Sequence, residues 1–515
     1  MKPSHRVVFN TGVLYAKLLI VMVIGLINIR LILSALGETD YGIYSLVAGV
    51  VGMLAIMQSA MSGASMRFMA HSFGSDDDIL ISKTFNTTVF LHFVIGLIVI
   101  IIIEVGGMFM FEYLLDIPEA KVFDAKIVFH FMVITTFVTI IAVPYDAVIN
   151  SHENLLVLSL VDIFGAILRL GVAIYLTYSH LNLLIFYGFS MLLVQIILRF
   201  IKQRYSVIHY KECKLNFRKY VDKSLTKTML SFSGWNLFGA IAAMAVTQVR
   251  SVLLNMFFGV SLNAANGIAM QVSSKVNTVS SSMTRALNPQ LVKSEGSGDR
   301  KRMLRLTELS TKFSVFLFAL FAIPVIIEMP YLINLWLKDV PDFVIIFSRL
   351  ILIGLFLDKF TFEISSAIRA VGKIRNFQIV EAIIFLFNIP VSYVLFKLGF
   401  PPYTIFFVTI VLILIIFVMR LYFGNKIANL NIMHFLKNGV FPLLVPITLA
   451  TLVAVLLNFQ VKESIFRLFL TFGLSMGTLT FVLLKFSLNQ EENLKIQDMV
   501  TAGIEKLKQI KNLKL

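Results

Sequence analysis

The chain has 515 residues, of which 58% are hydrophobic and 14% charged, with a mean hydropathy of +0.87. A soluble domain carries about 25% charged residues, so this composition excludes one and points to an all-α polytopic membrane protein. The net charge of +16 would fit nucleic acid in a soluble chain, and a single cysteine, Cys213, excludes a disulfide framework or a cysteine metal cluster.

The start, 1–9, is short and basic. The apolar run behind it is too long for a cleavable signal core, so the first helix is expected to act as its own insertion signal. About fourteen segments then approach the roughly 20 residues a bilayer needs. They fall at 10–33, 42–66, 84–105, 127–148, 155–178 and 183–201, then 231–258, 264–287, 306–327, 343–368, 377–398 and 403–423, and finally 440–458 and 465–486. All are expected to be helical, because only helices and closed barrels satisfy the backbone in lipid and period-two alternation is absent. The organisation expected is a six-helix lobe over 1–203 and an amphipathic linker over 204–230. A second six-helix lobe over 231–430, two additional spans over 431–488 and an amphipathic tail over 489–515 follow.

With the N-terminus in the cytoplasm, most Lys and Arg collect on cytoplasmic loops. The main clusters are 199–227, 285–312 and the tail lysines Lys506, Lys508, Lys511 and Lys514. That asymmetry predicts both termini inside. Orientation thus accounts for the charge, and nucleic acid drops out as a partner. Phe217, Val221, Leu225 and Met229 recur every fourth residue, as do Ile496, Val500, Ile504 and Leu507. Both stretches are expected to lie along the inner leaflet against anionic lipid.

The chain repeats at an offset of 222 residues (259 − 37). Gly37 matches Gly259, Gly74 in its Ser72–Asp76 turn matches Gly296, and Asn154 matches Asn376. Each unit holds about six helices. An even number keeps both in one orientation, so the lobes should be related by an axis along the membrane normal. Two facing lobes make a central cleft, as in a rocking alternating-access transporter.

The stretch 271–285, QVSSKVNTVSSSMTR, is too polar for a lipid-facing helix. A lysine at mid-membrane costs roughly 3 kcal/mol even on a lenient scale, so its polar side should line a water-filled cavity. Gln271, Thr278 and Arg285 form one stripe, with Lys275 and Asn277 beside it. In the first helix Lys17 and Asn28 share a face with Asn10, and Arg30 lies near the outer end. In the seventh, Asn236 and Arg250 are two heptads apart. The second helix adds Gln58, Ser59, Ser62, Ser65 and Arg67. These helices are expected to build a cationic cavity for an anionic substrate. Arg30, Arg67 and Arg285 are also near enough to helix ends to snorkel to the interface.

The tenth helix carries Arg349, Asp358, Lys359 and Glu363. Lys359 and Glu363, four apart, can pair on the helix surface. Two readings stand: structural neutralisation, or a coupling site for a proton or sodium gradient with Asp358 or Glu363 titrating. Asp162 with Arg169, and Glu381 with Asn388, are weaker versions of the same pattern, more often packing groups. His92 and His130 read as buried donors rather than metal ligands. No phosphate-binding loop, HExxH, nucleophile elbow or paired-cysteine site occurs, so no enzyme and no bound cofactor is expected.

RLILSALGETDYG at 30–42, FFGVSLNAANGIAMQV at 257–272, ALNPQLVKSEGSGD at 286–299 and Ala370-Val371-Gly372-Lys373 resemble the Wzx-like polysaccharide flippases. These are a branch of the multidrug/oligosaccharidyl-lipid/polysaccharide (MOP) exporter superfamily, and the resemblance covers essentially the whole chain and implies a MATE-like fold. It implies a bacterial inner-membrane flippase that moves an undecaprenyl-pyrophosphate-linked oligosaccharide to the periplasmic leaflet, for O-antigen (lipopolysaccharide), capsule or exopolysaccharide. It also implies ion coupling, and leaves room for a polysaccharide polymerase and a chain-length regulator as partners beside membrane lipid. Some relatives carry an acidic residue in the seventh helix, where this chain has Gln248 and Arg250. The alternatives are a lipid II flippase, a multidrug antiporter of the same superfamily, and a non-transporting scaffold of a polysaccharide assembly complex.

Overall fold

The computed structural model describes residues 3–52, 55–113, 117–179, 182–337 and 340–487. The long apolar runs fold into helices, and among the described residues there is no strand. In order these are α1 (Pro3–Gly52), α2 (Ala55–Gly74), α3 (Asp78–Tyr113), α4 (Glu119–Ser151), α5 (Leu155–Tyr178), α6 (Leu183–His209), α7 (Phe217–Tyr220), α8 (Lys223–Phe258) and α9 (Val260–Gly296). Then come α10 (Arg300–Ile327), α11 (Met329–Trp336), α12 (Val344–Val371), α13 (Arg375–Leu386), α14 (Asn388–Lys397), α15 (Thr404–Ala428), α16 (Ile432–Phe435), α17 (Phe441–Gln460) and α18 (Ile465–Val482). The tail with Ile496, Val500, Ile504 and Leu507 lies outside the described residues.

Among the described residues eleven helices are long and apolar enough to cross a membrane, and the chain is a multi-pass membrane protein. The three expected spans missing from that set are 42–66, 264–287 and 343–368. The first crosses residues 53 and 54, which lie outside the described residues, and the other two are too polar: α12 alone holds Arg349, Asp358, Lys359 and Glu363. At 37 and 28 residues, α9 and α12 are nevertheless long enough to span at about 1.5 Å per residue.

The repeat is written into the backbone. Gly37 and Gly259 both take positive φ, at 72° and 88°, where a residue with a Cβ is strained. Gly37 breaks α1 within the assigned element. Asp76 and Gly298, at the same offset, are also left-handed. Asp77 accepts hydrogen bonds from the N–H groups of Ile79 and Leu80, and its counterpart Asp299 accepts from Arg302 N–H. Each thereby caps a helix start, so α3 and α10 begin 222 residues apart.

Two expectations about helix continuity need correction. The amphipathic linker is not one helix. Asn216 caps the short α7, the chain leaves the helix at Val221, and Asp222 restarts it by accepting from Leu225 N–H at 2.8 Å. Met229 is then buried inside α8. The eleventh span divides at Phe387 into α13 and α14, since Pro390 in the first turn of α14 has no N–H to continue the ladder.

The chain forms two compact units, one of residues 10–237 with 296–298 and the other of the remainder. In the N-terminal unit α1, α3, α4 and α6 pack around Val47, Val99, Ala125, Phe129 and Leu184. In the C-terminal unit α8, α9, α10, α12 and α15 pack around Leu254, Ala265, Phe318, Phe347 and Phe406. There α17 and α18 add Ala450, Ala454 and Leu479 against Ala319 of α10. Large apolar side chains such as Leu19, Ile101, Val418, Phe459 and Phe469 are exposed, as lipid contact requires.

Candidate functional site

In the N-terminal unit Lys17 of α1 is not a free cation. Its Nζ lies 2.9 Å from the Asp162 carboxylate of α5, so a pairing between helices occupies two residues that sequence spacing had placed in separate patterns. Asn28 is half-buried, its Oδ1 without a hydrogen-bond partner among the described residues, and Arg30 is exposed. Arg67 does not simply reach out from a helix end. Its guanidinium lies 4.6 Å from the Phe68 ring and 5.0 Å from the Phe232 ring of α8, a cation–π arrangement. Asn236 is half-buried further along α8. The side chains of Gln58 and Ser59 lie outside the described residues. His92 is a buried donor as expected, with Nδ1 2.8 Å from Thr88 O and Nε2 3.4 Å from Ser65 Oγ. His130 is exposed instead, with Nδ1 2.9 Å from the Glu104 carboxylate.

In the C-terminal unit α9 has the two-sided character its sequence predicts. Ser273, Val276, Ser280 and Met283 are buried. Ser280 donates to the Ser314 carbonyl at 2.8 Å. Gln271, Ser274, Lys275, Thr278 and Arg285 are exposed and Asn277 is half-buried. Ser273 and Thr278 donate to carbonyls one turn back, which meets their own hydrogen-bond demand within the helix.

Arg250 of α8 is buried, at 8% exposure. Its Nη2 reaches Thr409 Oγ1 at 3.4 Å, its guanidinium lies 5.1 Å from the Phe406 ring centroid, and its Nε has no hydrogen-bond partner among the described residues. Thr409 also accepts from the Asn388 amide at 3.0 Å. Arg250 lines a cavity of about 330 Å³ with Asn277, Asp358, Phe406 and Thr409. Gln271, Lys275, Thr278 and Arg285 are not among its lining residues.

The charges of α12 are largely internal to the unit. Asp358 accepts from Arg420 of α15 at 2.6 Å, and the same guanidinium holds Glu381 of α13 at 2.9 Å. Glu363 does not make the helix-surface pair with Lys359 that their spacing allows. Its carboxylate accepts from Thr284 of α9 at 2.6 Å and Ser314 of α10 at 3.1 Å. Buried Lys359 lies 5.3 Å from the Phe362 ring and 5.9 Å from Phe318. Arg349 donates to the carbonyls of Ile326 and Ile327 at 2.9 and 3.2 Å. That placement serves the open carbonyls at the end of α10. Sequence reasoning passed over Arg420 although it sits in the apolar run 403–423, where an ionisable residue is itself a signal. It also passed over buried Glu328, which accepts from Arg467 at 2.8 Å and Thr471 at 2.9 Å and ties α18 to the end of α10.

This helical arrangement has solved counterparts. The fold is that of the MATE transporters. A MATE crystal structure in the bent conformation aligns with a TM-score of 0.72 at 12% identity, covering 85% of this chain and 97% of that one. An outward-facing multidrug resistance MATE family transporter of the MOP superfamily aligns at 0.66 and 11% identity, covering 85% and 97%. A third, a MOP superfamily transporter from Pyrococcus furiosus, aligns at 0.67 and 12% identity, covering 83% and 96%. That transporter has a binding pocket of reverse polarity, which suggests a different function for it. At these identities the likeness establishes the fold. No family model and no curated protein sequence matches the chain.

Proposed function

We propose that the protein is a flippase of the bacterial inner membrane. It translocates undecaprenyl-pyrophosphate-linked oligosaccharide repeat units from the cytoplasmic to the periplasmic leaflet by alternating access, with both termini cytoplasmic. The observation that carries this reading is the exposed stripe of α9, where Gln271, Lys275, Thr278 and Arg285 stand on one side of a helix whose other side is buried. Lys275 and Arg285 have no ion-pair partner among the described residues, so their charge is available to a polyanionic pyrophosphate. They are ten residues apart, about 15 Å along the helix. Arg285 first meets the pyrophosphate at the inner leaflet and Lys275 takes it deeper, while Gln271, Asn277 and Thr278 bond sugar hydroxyls. The prenyl tail stays in lipid. Arg30, Arg67 and Lys17 are the corresponding cations of the N-terminal unit, with Lys17 moderated by Asp162. Asp358 and Glu363 are the coupling candidates, since a proton arriving at either breaks a bonded arrangement. The reverse-polarity pocket described for the Pyrococcus furiosus relative is consistent with a cation-lined member of this fold.

A multidrug antiporter would need free acidic groups for cationic drugs. The carboxylates of α12 and α13 are instead engaged by Arg420, Thr284 and Ser314. The test is translocation of defined lipid-linked glycans by purified protein in liposomes, together with surface-glycan display in cells. Lys275→Gln is expected to abolish both while the protein stays in the membrane. Normal glycan in that variant, or a deletion strain altered only in drug sensitivity, overturns the reading.

A further inference from the structure

The cavity inside the C-terminal unit is built differently from the α9 stripe. Its cation is Arg250, which is buried, has no ion-pair partner among the described residues and holds an unpartnered Nε. A buried charge in that condition is costly, so the site is made for an anion. Asp358 shares the wall, but its carboxylate is bonded to Arg420 at 2.6 Å. Opposite chemistry sits beside the cation: Asn277 contributes a buried Oδ1 with no donor. An acceptor of that kind wants a hydroxyl and repels an anion. The third component is the half-buried Phe385 ring with Leu355 and Ile410 as apolar wall, while the buried Phe406 ring lies under the Arg250 guanidinium. Cation, hydroxyl acceptor and aromatic face together describe a sugar acid. The volume of about 330 Å³ is at the small end of small-molecule pockets. One guanidinium complements one carboxylate through paired N–H donors, whereas a pyrophosphate needs more than one cation.

We propose that this cavity binds a single acidic monosaccharide residue of the transported glycan. Its carboxylate sits on Arg250, its ring against Phe385, and a hydroxyl donates to Asn277. The assignment rests on the flippase reading for its source of sugar. It gives the protein a selection for glycans that contain a uronic-acid-like residue, because a neutral sugar would leave Arg250 buried and unpaired.

The test is saturation-transfer NMR on the full-length protein in nanodiscs, with D-glucuronate, D-glucose and inorganic phosphate as probes. D-glucuronate is expected to bind saturably and D-glucose at least about 10-fold more weakly. Arg250→Gln should weaken glucuronate about 10- to 100-fold, the worth of a charged hydrogen bond, and Arg250→Lys less. Should Arg250→Gln fail to purify as a monodisperse protein, Asn277→Ala and Phe385→Leu carry the test, each expected to weaken glucuronate several-fold. Equal binding of glucose, or no response to any variant, overturns the proposal. Phosphate displacing glucuronate competitively also overturns it, in favour of a carrier-phosphate site. Liposome translocation separates the two readings. If glycans are flipped but glucuronate does not bind, the cavity assignment falls alone. If glucuronate binds through Arg250 but no lipid-linked glycan moves, the binding assignment stands and the flippase reading falls.

Discussion

Helices α9 and α12 belong to the same unit, and both carry more polar groups than lipid tolerates. They resolve the conflict in opposite ways. In α12 the charged side chains turn inward and are bonded there: Asp358 to Arg420, Glu363 to Thr284 and Ser314. In α9 small hydroxyls turn inward and satisfy themselves on backbone carbonyls, while Lys275 and Arg285 remain exposed. The contrast teaches that polarity in a membrane helix is not by itself a functional signal. A charge consumed by a partner holds the fold together, whereas a charge left accessible can recognise a ligand.

That difference can be broken or sharpened by substitution. The largest loss of stability is expected where a buried pair loses one member. Arg467→Gln strands Glu328, and Arg420→Gln strands Asp358 and Glu381 together. Each should cost about 3–5 kcal/mol, read as a lowered midpoint for thermal unfolding in detergent. Adding Glu328→Gln to Arg467→Gln should recover part of the loss. A smaller effect is expected at Gly259, whose φ of 88° makes Gly259→Ala cost about 1–2 kcal/mol.

Smaller again is the effect at the start of α8. The Asp222 carboxyl is held below the ordinary carboxylate range by the Leu225 N–H, with help from Ser224 N–H and Lys83. Its folded value is the lower one, so its contribution is present above the unfolded value of about 3.9 and is lost as pH falls through the depressed folded value. Amide exchange at Leu225 should therefore quicken in Asp222→Ala at neutral pH, and the difference from wild type should vanish in acid. The least effect on stability is expected at Lys275→Gln, within about 0.5 kcal/mol, although the proposed glycan translocation should be lost. A Lys275→Gln protein that unfolds as readily as Arg420→Gln would erase the distinction between the two helices.

Much of this architecture was legible in the chain. The 222-residue offset seen in loop glycines reappears as paired positive-φ residues and paired aspartate caps. The inward and outward faces of α9 follow from its spacing. The two breaks that were not anticipated, at Val221 and Phe387, came from local signals that hydrophobic periodicity overrode: Asp222 as a cap and Pro390 as a ladder breaker. Arg420 was passed over because a single charge near the end of an apolar run resembles one that snorkels.

The sequence by itself determined the membrane class, the helical character of the long apolar runs, the 222-residue offset and which helix is polar on one side. A bilayer forces every span to satisfy its own backbone, and that requirement is local. Only the tertiary structure decided which charges are spent. Lys17 and Asp162 are 145 residues apart, Arg467 and Glu328 are 139 apart, and Arg420 finds Asp358 and Glu381 at 62 and 39. Such partners meet only when separate helices pack, and no periodicity within one helix can announce them. The same packing buries Arg250 against Thr409 and Phe406 and sets it in the wall of a cavity.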